Sequence, residues 1–441
     1  MRVAMIGTGY VGLVSGVCFS DFGHEVVCVD QQTEKIDTLN RGETPIYEPG
    51  LKALMAKNVD SGRLRFTTDL ENAVAAADAV FIAVGTPARR GDGHADLSYV
   101  YAAAEEVAAA IDGFTVVITK STVPVGANRE VARRIRAARP DAPVAIVSNP
   151  EFLREGAAIE DFMRPDRVVV GLESDRDERA RTVMSELYRP LNLRETPMVF
   201  TTLESAEITK YAANAFLAAK ITFINEIADL CEKTGGDVQA VAKGMGLDNR
   251  IGGKFLHAGP GYGGSCFPKD TLALFHTAQE LDSPLRIVET VIAVNNARKR
   301  RMAEKVIAAC DGDVAGRRIA ILGVTFKPDT DDMRDAPALV IAPTLIEAGA
   351  HVVIADPEGR KEGEALLPGA AWAVDAYDAA TGADAVVIIT EWNEFRGLDL
   401  PRLHALMAGD VMVDLRNIYR PAAAAAAGFA YSSVGRPAAA P

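Results

Sequence analysis

Close to the start of the chain, the short apolar run Arg2-Val3-Ala4-Met5-Ile6 leads into Gly7-Thr8-Gly9-Tyr10-Val11-Gly12, then into a helical stretch that reaches Phe22 and closes on Gly23. A G-x-G-x-x-G placed between a strand and a helix constrains the fold more than any other feature here. Gly7 permits the tight turn, Gly9 lets a pyrophosphate approach the backbone, and Gly12 lets the helix pack on the strand with its N-terminus toward the phosphates. Tyr10 and Val11 complete the fingerprint. A second strand, Glu25 to Val29, ends in Asp30. A carboxylate there accepts hydrogen bonds from an adenosine ribose and repels a 2'-phosphate, which favours NAD over NADP; Lys35 nearby pulls the other way.

The alternation continues. Arg63 to Thr67, Ala79 to Val84, Thr115 to Thr119 and Val144 to Val147 read as strands separated by helical stretches, the pattern of a parallel sheet with helices on both faces. Three of the strand ends carry polar loops: Gly85-Thr86-Pro87, Ser121 to Gly126, and Asn149 to Gly156. Each has an ordinary explanation. Thr86-Pro87 stops a strand, Thr122 suits a helix cap, and Glu151 with Arg154 suits a solvated pair. Three together at one sheet edge fit a ligand crevice better.

A chain of 441 residues, 49% of them hydrophobic, has material for more than one core. Its 60 acidic and 47 basic residues leave a net charge of -13, and no long basic run offsets it, which argues against nucleic acid or an anionic membrane as the main partner. Five scattered cysteines without a C-x-x-C pair suit a reducing cytoplasm and neither a zinc site nor a disulfide framework. Met1 to Phe19 lacks the basic cluster of a signal peptide, and no run is apolar and long enough to span a bilayer.

From Leu203 to about Lys233 there is no proline or glycine, and Gly235-Gly236 ends the run. A helix of that length reaches on the order of 45 Å, enough to connect two lobes, and Phe216, Ile224 and Ile227 offer apolar material for a dimer interface. Lys210 and Asn214 lie four apart on the stripe that continues through Leu217 and Ile221. A lysine there is costly unless paired, so either Glu207 satisfies it or it faces a catalytic cleft.

Beyond this helix comes Gly259-Pro260-Gly261-Tyr262-Gly263-Gly264-Ser265-Cys266-Phe267-Pro268-Lys269-Asp270. Four glycines in six positions clear side chains away from a reachable thiol. A lone cysteine is also a common small buried hydrophobe. The functional alternative is a nucleophile, with Lys269 favouring the thiolate and Asp270 handling a proton or ordering the loop.

In the last third, Arg318 to Gly323 followed by His351 to Asp356 echoes Arg2 to Gly7 followed by Glu25 to Asp30, with a longer interval. The loop Val324 to Arg334 lacks the later glycines, so a pyrophosphate cannot dock the same way, while Lys327 and Arg334 offer charge to a different anion. Ala383 to Thr390 and Val411 to Leu415 read as further strands, with Arg416 at one end. The alanine-rich tail after Arg420 reads as loosely held.

The fold expected is α/β: two Rossmann-like, doubly wound parallel-sheet domains joined by a long central helix. An NAD site, a thiol and a second anion-binding lobe together suggest oxidation past the aldehyde, in which thiolate addition gives a thiohemiacetal and hydride loss gives a hydrolysable thioester. The chain resembles the UDP-glucose/GDP-mannose dehydrogenase family, in its UDP-glucose 6-dehydrogenase form. The resemblance rests on Gly7 to Gly12, Ser121 to Gly126, Asn149 to Gly156, Ala206 to Asn214 and Gly259 to Asp270. It implies that Cys266 is the covalent nucleophile, that Lys210 and Asn214 stabilise oxyanions near the sugar C6, and that Asp270 works with a water as acid or base. Thr122 and Glu151 would position that water. Asp30, Lys35, Thr86, Thr122, Glu151 and Arg334 would touch NAD.

For the sugar nucleotide the resemblance implies contacts from the 149–156 loop through Phe152, Leu153, Arg154 and Glu155, and from Lys210 and Asn214 on the helix. Phe255, Gly263, Lys327 and Arg416 would add to these, and Arg250 would reach substrate in its own or a neighbouring subunit. The implied organisation is an NAD-binding domain over 1–202, a central helical domain with the dimer interface and cysteine loop over 203–300, and a UDP-sugar-binding domain over 301–441. The implied protein is a cytoplasmic homodimer that feeds polysaccharide synthesis, with no metal. Phe267 beside the cysteine suits UDP-glucose, and GDP-mannose or UDP-N-acetylmannosamine are the alternatives.

Overall fold

The computed structural model describes the chain apart from residues 88, 90–93, 175 and 441. It forms two compact units, Met1–Ala213 with His276–Leu281 and Asn214–Phe275 with Asp282–Pro441.

The sheet of the first unit contains β1 (Arg2–Ile6), β2 (Glu25–Val29), β3 (Leu64–Thr67), β4 (Ala79–Ile82), β5 (Thr115–Thr119), β6 (Val144–Ser148), β7 (Val168–Leu172) and β8 (Met198–Thr202). Their spatial order is β3-β2-β1-β4-β5-β6-β7-β8. The sequence does not announce β7 and β8. They run parallel to each other but antiparallel to β6, so only the first six strands form the parallel sheet that the alternation predicts. Along β1, Val3 and Met5 enter one core while Ala4 and Ile6 enter the other, because successive side chains take opposite faces and both faces are covered. Ile6 pairs with Val29 and with Ile82, so the loops after β1, β2 and β4 leave the same edge where the strand order reverses.

The second unit has β9 (Arg318–Leu322), β10 (His351–Ala355), β11 (Ala371–Trp372), β12 (Ala385–Ile388), β13 (Val411–Asp414) and β14 (Ala430–Ser433). Their order, β11-β10-β9-β12-β13-β14, repeats that of the first six strands of the other sheet, and every pairing is parallel. The echo between Arg2 to Asp30 and Arg318 to Asp356 is therefore a repeat of topology.

The tail departs from expectation. Pro421–Ala426 is helical and β14 forms the sheet's edge, with Phe429, Tyr431 and Val434 buried. Alanine richness suggested looseness, but this apolar spacing past Gly428 gives the segment something to bury. Arg436 then closes the tail, donating to the Tyr431 hydroxyl at 2.8 Å and the Tyr419 carbonyl at 3.1 Å.

The long central helix spans Leu203–Thr234 and stops at Gly235, whose φ of +79° is a left-handed conformation that suits glycine. It joins the two units along the chain. Ile224, read from sequence as interface material, is buried in the second unit's own core and Ile227 packs against it, whereas Phe216 is 67% exposed. No helix among the described residues is long and apolar enough to cross a membrane.

Candidate active site

In the first unit the fingerprint turn is built around backbone proximity. A Cβ at Gly7 would meet the Ala83 carbonyl oxygen at 2.7 Å, and one at Gly12 would collide with the Gly7 carbonyl, so neither position accepts a side chain. A Cβ at Gly9 meets nothing within 4 Å. Gly9 precedes the Tyr10–Asp21 helix, whose first backbone N–H groups have no intrahelical acceptor and suit a pyrophosphate. Asp30 accepts from the Thr8 amide at 2.9 Å, the Thr8 hydroxyl at 2.7 Å and the Gln32 amide at 3.0 Å, with Lys35 at 3.6 Å. Burial opposes its ionisation, but these donors prevail and hold it below the usual carboxylate range. This cradle fits a dinucleotide with an unphosphorylated ribose.

The Thr86 hydroxyl donates to the Thr122 carbonyl at 3.1 Å, joining two of the predicted loops. Thr122 caps no helix; the next one, Ala127–Ala138, begins after Gly126. Its end is satisfied instead by Glu207, which accepts from the Gly126 amide at 2.7 Å and the Asn128 amide at 2.9 Å. Glu207 is thus committed elsewhere, and the partner of Lys210 is Glu151, at 2.8 Å with both side chains almost fully buried. Burial would raise the Glu151 carboxyl, but the Lys210 charge and hydrogen bond, the Leu153 amide and Lys120 together hold it below its ordinary value. Arg154 does not pair with Glu151. It grips Asp161 through two nitrogens, at 2.6 and 2.9 Å. Phe152 lies under the Arg167 guanidinium at 3.6 Å and the Lys210 ammonium at 5.4 Å. Glu155 and Leu153 belong to the same loop, Leu153 packing partly on the core.

The second unit holds the thiol. Cys266 is half-buried directly before the Phe267–Glu280 helix, and its carbonyl accepts the first helical bond from the Asp270 amide at 2.8 Å. A helix start favours negative charge. The sequence pointed to Lys269 for that role, but its ammonium is turned to the Asp270 carboxylate at 2.8 Å. Asp270, fully buried, also accepts from the Asn214 side-chain amide at 2.6 Å. Asn214, Cys266 and Asp270 are thus brought together, and the Ser265 hydroxyl lies 3.5 Å from the sulfur.

The glycine loop packs against backbone, which explains its composition. A Cβ at Gly263 would collide with the Asp335 carbonyl, and one at Gly264 would meet the Phe326 ring at 2.7 Å. Three residues absent from the sequence reading hold the loop. Asn225 accepts the Gly259 amide at 2.8 Å, Arg298 donates to the Gly259 carbonyl at 2.6 Å, and Asn295 bonds both the amide and carbonyl of Tyr262 at 2.9 and 3.1 Å. Polar residues on the buried faces of two long helices were the only available signal. In the first unit Lys120 was also missed. It is fully buried, donates to Asn149 and Tyr188 at 3.1 Å each, and is pushed down to about 8, mainly by burial.

The other expected substrate residues, and Arg334 expected at NAD, are spread over the second unit. Phe255 takes φ +64° and lies 6.0 Å from Phe267 between ring centres. Arg416 donates to the carbonyls of Ile389 at 2.7 Å and Phe326 at 3.1 Å, and its guanidinium also approaches Glu391 at 3.0 Å. It shares a cavity of about 440 Å³ with Lys243, His257 and Gln239. Lys327 stands 5.5 Å over the Phe326 ring. Arg334 is paired with Asp332 at 2.8 Å, and Arg250, largely exposed, with Asp248. Asp356, the counterpart of Asp30, accepts from the amides of Val324 at 2.6 Å, Glu358 at 3.0 Å and Gly359 at 2.6 Å, as Asp30 accepts from those of Thr8 and Gln32.

Three family models match in order along the chain. They are the NAD binding domain of the UDP-glucose/GDP-mannose dehydrogenase family over residues 1–192, its central domain over 204–297 and its UDP binding domain over 320–421. A UDP-glucose 6-dehydrogenase of Rhizobium meliloti is 65% identical, covering 99% of this chain and 100% of that protein. The UDP-glucose 6-dehydrogenase TuaD of Bacillus subtilis is 46% identical over 99% and 94%. Among solved structures, a UDP-glucose dehydrogenase from Pyrobaculum islandicum superposes with a TM-score of 0.87 at 39% identity, covering 94% of each chain. The domain that carries the dinucleotide cradle is accordingly an NAD-binding one, the thiol and the buried ion pair fall within matched domains, and so does the repeated sheet apart from its ends: this chain belongs to the UDP-glucose/GDP-mannose dehydrogenase family.

Proposed function

We propose that the chain oxidises the C6 alcohol of UDP-glucose to the carboxylate, converting UDP-glucose, two NAD and one water into UDP-glucuronate, two NADH and three protons. The observation that carries the chemistry is Cys266 at a helix start, one turn from the buried Asp270 that Asn214 and Lys269 hold. An alcohol-to-aldehyde oxidation alone needs no such thiol. The choice of UDP-glucose rests on the names and identity of the full-length relatives and on the UDP binding domain.

NAD, bound afresh for each half-reaction, would accept one hydride each time. Gly7, Gly9 and the helix start at Tyr10, Val11 and Gly12 hold its pyrophosphate, and Asp30 its ribose, with Lys35, Thr86, Thr122, Glu151 and Arg334 as further contacts. Asp270 takes the alcohol proton through a water. The Cys266 sulfur then adds to the aldehyde carbon while Asn214 and Lys210 stabilise the oxyanion. After the second hydride leaves, the carbon is a thioester. Water positioned by Glu151 and Thr122 attacks it, the C–S bond breaks, and the thiolate is regenerated.

The substrate contacts in this reading are Phe152, Leu153, Arg154 and Glu155, together with Phe255, Gly263, Lys327, Arg416 and Arg250. We place the boundaries of the three functional domains at 1–202, 203–300 and 301–441. Phe216, Phe223 and Leu230 recur every seventh residue on one exposed face of the central helix, which supports a homodimer through that helix. Cysteines that form no disulfide among the described residues support a cytoplasmic location.

The test is NADH formation with UDP-glucose, GDP-mannose and UDP-N-acetylmannosamine side by side. UDP-glucose should exceed the others in kcat/KM by about a hundredfold or more, as expected where a buried polar group is left unpaired by the wrong sugar. Preference for either competitor would overturn the substrate assignment and leave the thiol chemistry standing.

A further inference from the structure

Glu48 lies in the segment Thr44-Pro45-Ile46-Tyr47-Glu48-Pro49-Gly50, between the Thr33–Asn40 and Leu51–Asp60 helices, and plays no part in the chemistry above. It is nonetheless buried, only 7% exposed. A buried carboxylate needs donors or a cation, and the donors here come from two distant segments. One is the hydroxyl of Tyr10, the residue that follows Gly9 in the dinucleotide fingerprint. The others are the backbone amides of Gly156 at 2.7 Å and Ala158 at 2.8 Å, at the end of the 149–156 loop. The Gly156 amide also lies 3.0 Å from the Tyr10 hydroxyl, so the three groups form a closed triangle.

The surroundings make this triangle stiff. Pro45 and Pro49 fix the backbone on both sides of Glu48, and Gly50 takes φ +81° to start the next helix. Gly156 is itself at φ +75°, so its amide direction depends on a conformation that other residues rarely adopt. Ala158 opens the Ala158–Met163 helix, where amides lack intrahelical acceptors. Capping that helix would need only the Ala158 bond. It does not require a tyrosine hydroxyl from the cofactor turn on the same carboxylate.

We propose that Glu48 is a positioning residue that couples cofactor binding to sugar-nucleotide binding, through Tyr10 on one side and Gly156 on the other. Pyrophosphate binding orders the Gly9–Tyr10 turn, the turn fixes the Tyr10 hydroxyl, and the shared carboxylate fixes the end of the loop that carries Phe152 to Glu155. Coupling of this kind is reciprocal: whatever factor NADH contributes to the affinity for the sugar nucleotide, the sugar nucleotide contributes to the affinity for NADH. The inference rests on the proposed roles of the fingerprint and of the 149–156 loop.

The experiment is calorimetric titration of NADH with and without UDP-glucuronate, and the reverse, on wild type, Glu48→Gln and Tyr10→Phe. Wild type should show mutual strengthening by about fivefold or more. In both variants that factor should fall to within about twofold of one; it is a ratio of affinities with and without the second ligand, so a change in the affinity for NADH alone does not enter it. Tyr10→Phe keeps the ring and loses only the hydroxyl, so it remains informative should Glu48→Gln fail to fold. Unchanged coupling in Tyr10→Phe, or no coupling in wild type, would overturn the proposal. Failure of wild type to bind either ligand would instead overturn the functional reading beneath it.

Discussion

At the scale of single residues, Lys210 and Glu151 carry the most exposed part of the account, because a charge pair this deeply buried stabilises only while both members are present. Lys210→Met should reduce kcat by about a hundredfold or more through the lost oxyanion donor. It should also cost about 3–5 kcal/mol of stability at neutral pH by stranding the carboxylate. The sign follows from the depressed Glu151 carboxyl. Its contribution is complete above the ordinary glutamate range near ~4.3 and is lost as the pH falls through its lower folded value. The gap between wild type and variant in urea midpoint should therefore be widest at pH 7 and narrow below about pH 4. A gap that does not change with pH would mean that the pair is not what stabilises this end of the helix.

Much at this scale was legible in the sequence. Cys266, Asp270, Asn214 and Lys210 stood out because each residue type is out of place in its pattern: a thiol among glycines, a lysine on an apolar stripe. Their partners were not legible. Glu207 was the near neighbour of Lys210 and Glu151 the true one, since hydrogen-bond choice is settled by tertiary position. For the same reason Asn225, Asn295 and Arg298, which hold the glycine loop from two helices, offered only their polar type on buried helix faces and no hint of their partner.

At the scale of elements, the tail teaches the opposite lesson. Its composition suggested a loosely held segment, yet β14 completes the second sheet and holds the loop that follows β13. The buried Asp414 accepts from the Tyr419 amide at 3.0 Å, the Tyr431 hydroxyl at 2.8 Å and the Arg416 amide at 3.0 Å. Asn417 is tied to Val434 at 2.8 and 3.1 Å. The edge strand thus steadies the backbone that presents Arg416. Tyr431→Phe removes one donor from a buried carboxylate and should cost about 1–3 kcal/mol. If Arg416 binds the nucleotide, KM for UDP-glucose should rise with little change in KM for NAD. Equal effects on both would point to general loosening. The alternation of strands and helices was readable because each period repeats over many residues. The β7–β8 extension was not, since nothing local marks an antiparallel strand at the edge of a parallel sheet.

At the scale of the whole molecule, two sheets that share the order of six strands differ in what their first turn can hold. The first keeps Gly9 open and Asp30 disposed around Thr8. The second lacks the later glycines in the loop after its first strand, and offers Lys327 and Arg334 there. One lobe for the dinucleotide and another for a different anion is what that difference supports. The central helix that joins them leaves Phe216, Phe223 and Leu230 outward, and Phe223→Asp should shift sedimentation from dimer toward monomer at micromolar concentration. A wild type that sediments as a monomer would contradict the assembly without touching the chemistry.

A four-electron oxidation through a covalent bond to Cys266 fixes the ratio of NADH formed to UDP-glucose consumed, which can be measured with wild type and Cys266→Ala run in parallel. Wild type should form two NADH per sugar nucleotide, and the variant should form no UDP-glucuronate. One NADH per sugar nucleotide, or a variant that still completes the oxidation, would contradict the covalent route and return Cys266 to a structural role.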